Sequence, residues 1–275
     1  NGVLVPGRDL TAEPEGCGQH LQYFESGIER LDFAAEFEDR LAGLRTAAVA
    51  DGHRLVVISA ENLINPKGFV DLFKPATDLF DVRIVAYVRR QDDFVASAWQ
   101  QWQIKRHEDF WDYYATARGR IDWFKQLEPW KQAYGRSNMI VRRFDRETLT
   151  GGDVIDDFCA ILGVDPAIHT RTGDTNRSLH ERFHPLMSNH RNELFRSIHD
   201  NRFHRFLGEV LGDKAYKDYR GSALLTLAQR RMILADHDGP NNRLKTTYFP
   251  EVGEEPLFTP PRPADVHVPS EPPMD

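Results

Sequence analysis

A chain of 275 residues with 40% hydrophobic and 28% charged residues has a globular balance and is long enough to bury a substantial core, which excludes wholesale disorder. Its formal net charge of −7 makes duplex nucleic acid a poor partner but leaves room for a local basic site for an anionic cofactor. Two cysteines, Cys17 and Cys159, far apart and outside any CxxC pair, give neither a disulfide framework nor a zinc ribbon; they fit thiols in the reducing cytoplasm.

No run approaches the roughly 20 apolar residues that span a bilayer. No signal peptide opens the chain, which starts at Asn1 rather than Met, so targeting stays open. There is no internal repeat. Residues 3–5, followed by Pro6-Gly7, read as a strand ending in a turn, and 13–18, with Pro14 and two glycines, as a loop. Leu31, Ala34, Ala35, Leu41, Leu44 and Ala48 recur at helical spacing, and Asp51-Gly52 closes that helix. Residues 55–59 form a continuous apolar, β-branched run of the kind buried on both sheet faces. Phe69, Leu72, Phe73, Ala76, Leu79 and Phe80 predict a helix that Pro75 must kink or interrupt. A second strand follows at 82–88, a helix at about 92–106, a third strand at 139–144, and a short helix at 154–162 ending at Gly163.

This alternation predicts an α/β fold: a parallel β-sheet flanked by helices on both faces. It would form one domain over 1–258, with a mostly helical part at 178–244. A Pro-rich tail at 259–275 would be extended and poorly packed. The five tryptophans, between Trp99 and Trp130, read as a helical core wall, or more sharply as a stacking surface for a flat acceptor.

The segment Arg83-Ile-Val-Ala-Tyr-Val-Arg-Arg-Gln-Asp-Asp-Phe-Val-Ala-Ser97 carries the most chemistry. Arg89 closes a strand at its carboxyl end, where open α/β sheets bind ligands, and Ser97 lies in the first turns of the next helix. A guanidinium and a hydroxyl so placed can converge on one phosphate; a surface arginine pair and a solvated serine are the plain alternative. Arg89, Asp93 and Ser97 match the spacing of the 3′-phosphate element of the sulfotransferase superfamily, which this segment resembles in its bacterial form. Gln91 stands where the superfamily usually has Pro. The likeness extends over about 2–258 and is strong only over 55–105.

That resemblance implies a P-loop-like sulfotransferase fold that moves a sulfuryl group from 3′-phosphoadenosine 5′-phosphosulfate (PAPS) to a hydroxyl or amine of a small-molecule or carbohydrate acceptor, without a metal. It implies Arg89 and Ser97 as cofactor-binding residues, with Arg177 in the loop 175–179 as a further cation. It also implies a glycine-rich strand–loop gripping the phosphosulfate; none is visible in this sequence, and its place would be before Asn1. Glu61, at a strand end, is the first candidate for general base, with a cap or a Lys67 partner as its alternative role. His20, in the loop after the first strand, is the second. A P-loop-type small-molecule kinase and a non-catalytic nucleotide-binding relative are the alternative functions. The helical C-terminal part would cover the acceptor site or form a homodimer contact.

Overall fold

The structure, a computed structural model, describes residues 2–13, 20–65, 68–107, 109–168, 177–219 and 221–267. In chain order it contains β1 (Val3–Leu4), α1 (Leu21–Gly27), α2 (Phe33–Ala50), β2 (Leu55–Val56), α3 (Phe69–Leu72), α4 (Ala76–Leu79) and β3 (Ile84–Val88). Next come α5 (Gln91–Gln101), α6 (Phe110–Ala117), α7 (Trp123–Tyr134), β4 (Met139–Arg143) and α8 (Val154–Leu162). The rest of the described chain carries α9 (His184–Asn189), α10 (Arg191–Leu194), α11 (Arg202–Leu211), α12 (Leu227–Ala235) and α13 (Asp238–Tyr248). Two compact units result: Asn1–Val88 with Phe124–His169, and Arg89–Trp123 with Thr170–Asp275.

The expected sheet-centred α/β fold, with one parallel sheet between helical layers, is not what forms. Helix accounts for 57% and strand for 7%. The strands pair two by two, β1 with β2 and β3 with β4, both in parallel. The expected strand 55–59 pairs only at Leu55 and Val56, with Val57 N–H still donating to the Leu4 carbonyl at 2.9 Å. Its end is diverted, because Ser59 gives its carbonyl to the His20 N–H at 3.1 Å. A short apolar run cannot by itself distinguish a two-sided sheet strand from one packed beneath helices. Here Ile84, Val85, Ala86 and Tyr87 of β3 stay half-buried instead of being enclosed on both faces.

In the first unit the core is aromatic. α2 buries Phe33, Phe37, Leu41, Leu44 and Ala48 along one stripe, at the three- and four-residue spacing of an amphipathic helix. Phe24 of α1 meets Phe33, Phe37, Phe69 and Phe73 with ring centroids 5.6–6.5 Å apart. The predicted helix across Pro75 is split into α3 and α4, with Pro75 as N-cap of the second piece. α8 is capped by the Asp153 carboxylate, which accepts from Ile155 N at 2.8 Å, and stops at Gly163 in the left-handed conformation (φ 64°). Its Asp157, fully buried, accepts from Tyr87 Oη of β3 at 2.8 Å, Arg142 Nε of β4 at 3.0 Å and Thr150 N at 3.0 Å, so one carboxylate ties both strands to α8.

In the second unit α5 packs on α12 and α6. Trp99 lies against Phe110 and Tyr113, and the Trp123 ring meets Phe94 edge-on at 5.1 Å. Trp99 and Trp123 are buried here and Trp130 in the first unit, so these three tryptophans serve as core. Among the described residues no helix is long and apolar enough to cross a membrane. Leu257 and Phe258, just before the Pro-rich tail, and Pro261 within it are buried.

A candidate anion-binding site in the second unit

Arg89 directly follows β3, and α5 begins two residues later. Two contacts fix the backbone between them. Trp123 Nε1 donates to the Arg89 carbonyl at 2.7 Å, and the buried side chains of Gln91 and Asn241 exchange amide hydrogen bonds at 2.8 and 3.1 Å. Asp92 and Asp93 occupy the first turn of α5, where the helix dipole favours negative charge. Arg90 folds back on them, with Nε 2.7 Å from Asp92 Oδ1 and Nη2 3.1 Å from Asp93 Oδ2. Arg230 of α12 reaches the same two carboxylates, Nη1 at 2.8 Å from Asp92 Oδ2 and 3.1 Å from Asp93 Oδ1. Asp92 has no exposed surface, and burial beside Asp93 raises its pKa above the ordinary carboxylate value. Arg230 Nε is buried with no hydrogen-bond partner among the described residues.

Asp93, Ser97 and Gln100 recur at i, i+4 and i+7 and so share one face of α5. Along that face lies a second network. Gln100 Nε2 donates to Glu181 Oε1 at 2.7 Å and to Ser222 Oγ at 3.0 Å. Glu181, buried, also accepts from Ser222 Oγ at 2.5 Å, Ala223 N at 2.6 Å and Tyr219 Oη at 3.4 Å. Burial opposes ionisation of Glu181, but its hydrogen bonds, with the charges of His184 and Lys217, bring its pKa below the ordinary value. Burial pushes the His184 imidazole down to about 4, against the pull of Glu181.

Lys217 connects the two networks electrostatically. Its Nζ donates to the Gly221 carbonyl at 2.7 Å. Burial lowers its pKa, Glu181 opposes the shift, and Arg230 and Arg89 push it down further. Arg89 is lowered in the same way: first by burial, opposed by Asp93 and Asp92, then by Arg90 and Arg230. The Arg230 guanidinium thus weighs against the charged forms of both Arg89 and Lys217, and it reaches Asp93 on the α5 face that carries Ser97. Such a group suits an anion, which would relieve the repulsion.

Of the residues singled out in the sequence, Arg89 and Ser97 lie in this unit, Arg89 just before α5 and Ser97 on the α5 face of Asp93 and Gln100. Arg177 is in the second unit but exposed, held by Asp213 at 2.7 Å and lying over the Tyr216 ring at 4.4 Å. Glu61 and His20 are in the first unit. Glu61 is exposed and opens a 3-10 turn, Glu61–Ile64. Lys67, weighed as its partner, lies outside the described residues, as do Cys17 and most of the loop 13–18. His20 is fully buried; Nε2 is 3.3 Å from the Pro6 carbonyl and Nδ1 is 3.1 Å from Ser59 N. Nδ1 also lies 3.0 Å from the Ser59 carbonyl, so the ring is held by backbone groups of two loops and has a structural role in joining them. Arg142 goes to Asp157. Among the described residues no three His, Cys, Asp or Glu side chains converge as a metal site.

Sequence reasoning missed Arg230, Lys217 and Glu181. Arg230 left one trace: it is a charge on the helix stripe that also carries Leu227 and Ile233, three residues to either side. Glu181 and Lys217 left none, because only the packing of distant loops brings them to α5.

No family model matches the chain, and no solved structure does. It is similar to an uncharacterized protein of Archaeoglobus fulgidus, 28% identical over 203 residues, which is 70% of this chain and 54% of that relative. The chain thus spans about half the length of the curated relative it matches.

Proposed function

We propose that the chain is a PAPS-dependent sulfotransferase whose second unit binds the 3′-phosphate of the nucleotide through Arg89, Ser97 and Lys217, with Arg230 adding positive potential. The acceptor is a hydroxyl or amine of a small molecule or saccharide. One observation carries the reading: the segment whose spacing resembles the 3′-phosphate element of sulfotransferases is the segment around which cations gather, Arg230 buried and Arg89, Arg90 and Lys217 half-buried. Arg89 and Lys217 both have their charged forms disfavoured by burial and by Arg230. A dianionic phosphate reverses that penalty, and the buried Nε of Arg230, which has no hydrogen-bond partner among the described residues, is a further polar atom at the site. In the reaction the acceptor oxygen or nitrogen bonds to sulfur, the bond from sulfur to the phosphate oxygen breaks, the acceptor loses its proton, and 3′-phosphoadenosine 5′-phosphate (PAP) leaves. Fixed cations and N–H donors assist by stabilising charge that grows on the leaving phosphate.

Calorimetric titration of PAP without Mg²⁺ tests the binding step. Micromolar affinity in the wild type, weakened at least about tenfold in Arg89→Ala, is the expected result, since a charge-assisted contact contributes roughly 1.5–3 kcal/mol. Binding of ATP only with Mg²⁺ would replace this reading with a kinase. No nucleotide binding at all would remove it.

A further inference from the structure

The described end of the tail lies back on the same unit's candidate site. Asp265 sets its carboxylate on the Arg90 guanidinium, Oδ2 to Nη2 at 2.8 Å, and the same oxygen accepts from Arg262 N at 2.9 Å. Arg90 Nη1 donates to the Thr259 carbonyl at 3.0 Å. Two residues after Asp265, the His267 imidazole is stacked on the Tyr219 ring, with centroids 3.5 Å apart and planes 15° from parallel. His180 meets that tyrosine edge-on at 5.5 Å. Between these contacts Ser222 N donates to the Asp265 carbonyl and His267 N to the Ser222 carbonyl, both at 3.1 Å. Tyr219 and Ser222 are the residues that donate hydroxyls to Glu181.

An anion on a guanidinium and a flat nitrogen heterocycle on an aromatic face, joined by a short backbone, present the chemistry of a nucleotide's phosphate and base. We propose that residues 265–267 are an intramolecular stand-in for the nucleotide: Asp265 fills a phosphate position on Arg90, His267 fills the base position on Tyr219, and this strap must lift before a nucleotide binds. This rests on the nucleotide-binding reading above and adds to it an autoinhibitory contact and the face on which the base stacks.

Arg262, Pro263 and Ala264 are exposed. Prolines at 260, 261 and 263 supply no N–H donors. The strap's close approach depends on Gly221, at φ +79°, where an added Cβ would lie 3.0 Å from the Ala264 carbonyl oxygen. Gly221→Ala should therefore prise the strap away by crowding the Ala264 and Asp265 backbone, leaving the Asp265 and His267 side chains unchanged.

The deciding experiment titrates PAP into the full chain in three forms: wild type, Asp265→Asn with His267→Ala, and Gly221→Ala, each first shown to melt cooperatively. A strap that is closed about nine-tenths of the time weakens apparent affinity about tenfold, so both variants should bind PAP about tenfold more tightly. Hydrogen exchange over 259–267 should rise in the wild type when PAP is added. Equal affinity in all three forms overturns the stand-in and leaves the nucleotide-binding reading intact. Weaker binding by the variants also overturns it, making the strap part of the seat. No PAP binding by any form removes both.

Discussion

Arg230 and Asp92 put a full charge pair where water does not reach: their side chains are 2% and 0% exposed. The pair stands only because each charge has several partners, with Asp92 shared between Arg230 and Arg90 and Arg230 shared between Asp92 and Asp93. Replacing one member leaves an uncompensated charge, which costs far more than the intact pair contributes. Arg230→Met should therefore destabilise the protein by about 3 kcal/mol, the lower end of the range for a broken buried pair because Arg90 still covers Asp92. Urea unfolding checks this, and a loss under about 1 kcal/mol would mean that water reaches Asp92 after all. The same residues explain why half of the site escaped the sequence. Arg89 and Ser97 are local, eight positions apart, so their placement just before α5 and in its first two turns follows from chain geometry. Arg230 reaches Asp92 across 138 positions, which no local pattern encodes.

At the scale of elements, the parts with local causes were legible. α8 occupies the predicted residues because Asp153 can cap it and Gly163 can stop it. α2 follows its apolar stripe, and Pro75 divides α3 from α4. The strands were legible in position but not in partner. The residues at 84–88 and 139–143 form strands, yet which edges pair, and how many, is set by long-range packing. The sheet inferred from alternating elements therefore gave way to two separate parallel pairs. Packing of the helices sets its own constraints. Gly27 ends α1 directly against the Phe33 ring, and an added Cβ would overlap that ring. Phe33, 2% exposed and enclosed by Tyr23, Phe24 and Phe37, has nowhere to retreat. Gly27→Ala, otherwise a mild change in a helix, should cost about 1–3 kcal/mol in a thermal or urea melt. A neutral or stabilising result would show that the aromatic core yields.

The charges of the whole molecule predict which unit acid disturbs first. In the second unit, burial pushes the imidazoles of His184 and His204 down to about 4, and that of His237 in the same direction. His204 Nδ1 and His237 Nε2 are buried with no hydrogen-bond partner among the described residues, so protonation there gains no hydrogen bond, and burial outweighs the pull of Asp200 on His204 and of Asp122 and Asp236 on His237. The unfolded chain takes up these protons near the ordinary value of 6.5. Between that pH and about 4 the unfolded state binds more protons than the folded one. The stability is fully present above about 6.5 and is lost progressively as pH falls through the window. The first unit responds lower. Its Asp157 is held well below the ordinary carboxylate value, chiefly by the Arg142 guanidinium; its contribution is present above that ordinary value and lost only in stronger acid. Peptide-resolved hydrogen exchange at stepped pH should show α9 and α11 losing protection on going from about pH 7 to about pH 4.5, while β3, β4 and α8 keep theirs. Changing His184 and His204 to Gln should flatten the response of the second unit alone. Simultaneous loss in both units, unaffected by those substitutions, would refute the assignment to buried neutral histidines.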